Sequence, residues 1–169
     1  MIALFLTPLT TTVVIVFVGL FSCLFMDTLV ALITGIRPNF NPLGRWLICF
    51  FQGNQVYMDF NKLSPVRYEK IVGWAIHLIT GIVYAAVFVL IANIFWRPEH
   101  SSLILLACAM TIAWVTMAFP LMLVFPALGL GYFAAKAPSP WRSRIQCFFA
   151  HSLFGLGLFF GLMLVLWWL

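Results

Sequence analysis

Four long apolar runs constrain this chain more than any other feature in it. They fall at about 12–36, 71–96, 102–125 and 145–168. At 1.5 Å of rise per residue, a helix of about 20 residues crosses the roughly 30 Å hydrocarbon layer of a bilayer. The chain is 64% hydrophobic and 8% charged, whereas soluble domains carry roughly 25% charge. Its natural solvent is therefore lipid, where the backbone must satisfy its own hydrogen bonds and a helix does so within one segment. The expectation is an all-α membrane protein, a single domain over 1–169 with four transmembrane helices.

Basic residues set the direction. Arg37, Arg45, Lys62, Arg67 and Lys70 lie between the first two spans, and Lys136, Arg142 and Arg144 between the last two. The short turn "WRPEHSS" holds Arg97 alone. Basic loops stay cytoplasmic, and eight against one predicts loops 37–70 and 136–144 inside and both termini outside. Trp96, Trp167 and Trp168 then fall at the outer interface, and Trp46, Trp74 and Trp141 at the inner one. Trp114 is mid-span and must pack on a neighbouring helix or on lipid. The net charge of +5 is spread over loops and makes no basic stripe, which excludes nucleic acid as a partner. The first Lys or Arg is Arg37, so the opening run lacks the basic start of a cleavable signal peptide and is expected to remain as a span. Cys23, Cys49, Cys108 and Cys147 form no C-x-x-C pair and read as packing residues rather than a disulfide scaffold or zinc ribbon.

Two stretches depart from plain spans. The loop from 37 to 69 is too long for a simple connector, and "PLGRWLICFFQG" within it has an apolar core too short to cross. It reads as an interfacial helix in the first cytoplasmic loop, starting after Pro42 and ending at Gly53, or as a shallow re-entrant one. There Arg45 and Trp46, with Arg142 of the second inner loop, are expected at the lipid interface, Arg45 facing phosphates. The third span ends in "FPLMLVFPALGLGYFAAKAPSP". Pro120 and Pro126 each remove a backbone donor, and Gly129 and Gly131 loosen the residues after them. This predicts a Pro/Gly-broken third helix, either an ordinary kink or a break beside a site.

Asp27 is the one carboxylate inside "FSCLFMDTLVALITG". Residues four apart share a helix face, and the stripe through Asp27 reads Gly19, Cys23, Asp27, Ala31, Gly35. The second span gives Gly73, His77, Gly81, Ala85, and the fourth gives Cys147, His151, Gly155. Small residues mark close helix contacts in membranes, so each ionisable side chain is expected to point into the bundle. His77 lies seven residues past Lys70, His151 seven past Arg144, and Asp27 ten before Arg37. That puts them at depths of about 10–15 Å, close enough for one polar layer of Asp27, His77 and His151, with Tyr84 as a further donor. An Asp at mid-span costs about 2.5–3.5 kcal/mol and usually pairs. The layer reads as polar glue, as a proton or ion pathway, or as a metal or haem site. For a metal, Asp27, His77 and His151 are the candidate ligands, with Cys23 and Cys147 one turn away. No local metal, nucleophile, Walker or dinucleotide motif accompanies them. His100, beside Glu99 and Arg97, reads as a solvated surface residue.

The chain resembles an uncharacterised family of small bacterial inner-membrane proteins, a domain of unknown function. The resemblance runs nearly end to end, on "MD" at 26–27, "GRW" at 44–46, "GWAIH" at 73–77, "PALGLG" at 126–131, "PSPWR" at 138–142 and "HSLFGLGL" at 151–158. It implies a bacterial source and a cytoplasmic-membrane location, and carries no activity, cofactor or partner. Three functions are therefore weighed. The first is a non-enzymatic membrane subunit or interaction protein, partnered by the bilayer and by a membrane protein or further copies of itself. The second is a small transporter, and the third a metal- or haem-binding membrane protein.

Overall fold

The computed structural model describes residues 7–53, 63–95 and 101–168, and these are helical, with no strand among them. Lys62, Trp96, Arg97, Glu99 and His100 lie outside the described residues. Helix α1 runs over Pro8–Thr34. Thr7 and Thr10 form a reciprocal capping box at its start, Pro8 occupies the first turn, and Gly35 ends it with φ 69°. Proline needs no backbone donor there, and glycine adopts the left-handed cap without strain. Helix α2 spans Asn41–Phe51 and is the short helix expected in the first loop. Helix α3 spans Glu69–Phe95 and α4 spans Ser102–Thr116, its Ser101 hydroxyl accepting from the Leu103 amide at 3.2 Å.

Beyond α4 the third span changes pitch. Pro120–Val124 is a π-helical turn, closed by the Phe125 amide donating to the Pro120 carbonyl. Helix α5, Phe125–Ala127, comes next. The chain then turns through Gly129 and Gly131, with φ 78° and 73°. Helix α6 covers Pro140–Trp168. Four helical segments, Pro8–Thr34, Glu69–Phe95, Ser102–Ala127 and Pro140–Trp168, are long and apolar enough to cross a membrane.

Helix α1 packs against α3 on one side and α6 on the other, while α4 leans mainly on α6. Gly19 lies against Ile82 and Gly81 against the Cys23 thiol. Early residues of α1 thus meet late residues of α3, and the two helices run antiparallel. Gly157 rests on Ser22 and Gly161 on Phe21, making the α1–α6 seam antiparallel as well. Gly155 faces Met110 and Ala113 of α4. The core at the centre includes Val18, Phe88, Leu105, Leu158 and Leu162. Trp114 stacks on Phe148 at 5.7 Å and its indole N–H donates to Ser152 Oγ at 3.1 Å, so its partner is α6.

Helix α2 packs along α3. Gly44 sits on the Glu69 carbonyl and Gly73 on the Phe40 carbonyl, and neither site has room for a Cβ. Trp46 is buried with Ala127, and Leu43, Leu47, Leu63 and Leu128 pack around them. The short helix therefore closes over the end of the third span.

Candidate functional site

The small-residue seam between α1 and α3 positions the most buried acid among the described residues. Gly19 and Gly81 let the two backbones approach, and one helical turn on, Asp27 meets His77. The imidazole Nε2 donates to Asp27 Oδ2 at 3.0 Å. The two side chains keep 9% and 14% of their exposure respectively, which leaves each dependent on the other for hydrogen bonding. The Cys23 thiol points at the His77 carbonyl, 4.0 Å away.

His77 is covered by aromatic rings. Phe40 stacks flat on the imidazole, with centroids 3.9 Å apart and planes 18° from parallel. Trp74 stands edge-on to both rings, at 5.0 Å from Phe40 and 5.9 Å from His77. Trp74 thus lines the site rather than serving only as an interface anchor. Phe40 was invisible as a site residue in the sequence, being one of 18 phenylalanines and placed in a loop. The "GWAIH" run was the available signal, because Gly73 makes room for the Phe40 backbone beside Trp74 and His77.

His151 bonds within its own helix. Its Nδ1–H donates to the Cys147 carbonyl at 3.0 Å, and the Cys147 thiol lies 3.8 Å from the same nitrogen. Tyr84 packs edge-on against Phe154 at 6.3 Å. Asp27 and His77 are thus hydrogen-bonded; His151 bonds within α6 while lying close enough to His77 to interact with it electrostatically, and Tyr84 packs on Phe154. Among the described residues no three His, Cys, Asp or Glu side chains gather to hold a metal ion. The donors considered for one, Asp27, His77, His151, Cys23 and Cys147, are spread over two contacts. The stripe Cys147–His151–Gly155 contacts α4 at Gly155, whereas Gly157 and Gly161 of α6 meet α1.

A second polar cluster fastens α2. Arg45 donates from Nε to Glu69 Oε2 at 2.7 Å, from Nη2 to Oε1 at 3.1 Å, and from Nη1 to the Leu63 carbonyl at 2.8 Å. The Val66 amide also donates to Glu69 Oε2 at 3.0 Å. Hydrogen bonding to Glu69 raises the Arg45 pKa above its ordinary value. The expectation of a guanidinium turned to lipid phosphate is therefore replaced by a two-pronged ion pair, in the geometry that favours Arg over Lys. Trp46, also expected at the lipid interface, is instead 9% exposed in the contact with Ala127. Arg142 is exposed.

Fold and site together define an all-helical protein with four helices able to span a membrane and a buried Asp–His contact between the first two. The chain belongs to the family described as protein of unknown function (DUF2938), whose model matches residues 16–165. No curated protein and no solved structure matches it.

Proposed function

We propose that this is a small multi-pass protein of the bacterial cytoplasmic membrane, acting without catalysis as a membrane subunit or interaction protein. One observation carries the reading: the polar groups buried within the spans are bonded to the protein itself. Asp27 is bonded to His77, His151 to the Cys147 carbonyl and Ser22 to the Val18 carbonyl. Of these, the Asp27–His77 bond fastens α1 to α3, and the other two satisfy their side chains within α6 and α1. An open apolar groove lined by Phe21, Phe25, Phe160, Met163, Leu164 and Trp167 supports the same reading, as a lateral surface for a neighbouring helix or acyl chains. A second reading, a proton or small-solute pathway with Asp27, His77 and His151 as its polar stations, is favoured by the 14% exposure the His77 side chain keeps.

Asp27→Asn discriminates between the two. It keeps shape and hydrogen-bonding capacity and removes the charge. Hydrogen bonds between membrane helices average about 0.6 kcal/mol, so as a clasp Asn should serve nearly as well. The expected result is unchanged detergent stability and unchanged co-purification of any stoichiometric partner in mild detergent. A folded Asp27→Asn protein that has lost a wild-type proton flux in proteoliposomes would overturn the subunit reading.

The topology belongs to this proposal: both termini in the periplasm, with α2 lying along the inner leaflet. A periplasm-active reporter fused after the last residue should be active, and a cytoplasm-active one silent. The opposite pattern would reverse the orientation.

A further inference from the structure

Between Gly35 and Arg45 the chain leaves α1, crosses α3 and enters α2. Its own backbone hydrogen bonds stay local: the Ile36 amide donates to Thr34 Oγ1, Asn41 to Asn39 Oδ1 and Gly44 to the Phe40 carbonyl. What joins the segment to α3 is of another kind. The Phe40 ring lies on His77, the Phe40 carbonyl fits over Gly73, and Gly44 fits over the Glu69 carbonyl. Arg45 then grips Glu69.

We propose that residues 35–45 form a strap that gates water access to the Asp27–His77 pair, with Phe40 as the plug and the Arg45–Glu69 ion pair as the latch. The plug is the ring that lies flat on the imidazole, with Trp74 edge-on beside it. The spacing of 3.9 Å is closer than the usual 4.5–7 Å of aromatic pairs, leaving no gap for water between the two faces. Along the α1–α3 seam beside the pair there is no room for a methyl group at Gly19 or Gly81. Opening there requires separating α1 from α3. Opening at the strap requires only unstacking one ring from a segment tied by fit and by a latch. Gly35, already at φ 69°, and the five irregular residues after it give the strap its turning point.

The inference concerns access and holds on either reading of the pair's role. Proteoliposome flux tests the role, and the reactivity of His77 tests the access, so either can fail alone. The full-length protein in mild detergent is treated with diethyl pyrocarbonate at neutral pH, and modification of each histidine is followed by mass spectrometry. His77 should react slowly in the native chain. Phe40→Ala should speed it by up to about tenfold, the shift in local opening that loss of one ring pair produces, while His151 keeps its native rate. Glu69→Gln, which weakens the latch and leaves the plug intact, should give a smaller rise at His77. An unchanged His77 rate in folded Phe40→Ala overturns the gate, and so does an equal rise at His77 and His151, which signals general loosening. If Phe40→Ala does not fold, Phe40→Leu and Glu69→Gln decide the matter: a His77 rate unchanged in both overturns the proposal.

Discussion

Arg45→Ala is expected to destabilise the protein by about 2 kcal/mol, just under the roughly 3–5 kcal/mol for breaking a fully buried ion pair by removing one partner. An exposed pair contributes about 0.2–1 kcal/mol. This one belongs nearer the buried class, because the two side chains retain 15% and 11% exposure and share two hydrogen bonds. Removing the guanidinium also leaves the Leu63 carbonyl without the Nη1 donor and the Glu69 carboxylate with the Val66 amide as its donor among the described residues. The measurement is the unfolding midpoint in detergent, by heat or denaturant. A double variant with Glu69→Gln should lose less than the sum of the singles, since the second change removes the charge stranded by the first. A loss below about 1 kcal/mol for Arg45→Ala would place the pair in the exposed class.

A large effect of a single added group is expected at Gly81. A Cβ there meets the Cys23 thiol, and both residues are buried in the seam. Overpacking of a well-filled site costs about 1–3 kcal/mol, and Gly81→Ala should fall within that range. Gly81→Leu should exceed it, because the longer side chain must push α1 away from α3 and thereby draw Asp27 from His77. Cys23→Ala removes the atom in the way. Combined with Gly81→Ala, it should recover most of the lost stability, a coupling that only residues in contact show. Additive losses would mean that the two helices do not meet at this point.

The contrast between the two clusters shows what the sequence could reveal. The Asp27–His77 contact was legible because both stripes have a period of four, and a carboxylate in an apolar helix has few ways to be satisfied. The partner choice of α6 was not. That helix carries two sets of small residues, Cys147–His151–Gly155 and Gly157–Gly161, and periodicity alone does not say which set meets which neighbour. Gly155 meets α4 and the other two glycines meet α1. Arg45 was read through the charge rule for inner loops, which locates a basic residue relative to the membrane without naming its partner. The signal lay in Glu69, one of only four acidic residues in the chain, at the start of a span where a cation must come to it. Phe40 left no trace of its own. A stacked ring over a histidine depends on where a loop crosses a helix, and this is fixed by the glycine-to-backbone fit at Gly44 and Gly73.

The two faces of α6 also have a bearing on how the protein is made. The first two spans share the Gly19–Gly81 seam and the Asp27–His77 bond, so they can pair as soon as both are in the bilayer. The third span touches α3 less than it touches α6, and its end is covered by α2 through Trp46. The final span contacts it through Gly155 and, through Gly157 and Gly161, reaches back to the helix inserted first. These contacts divide the bundle into two hairpins, α1 with α3 and the third span with α6. The last helix to emerge locks them together.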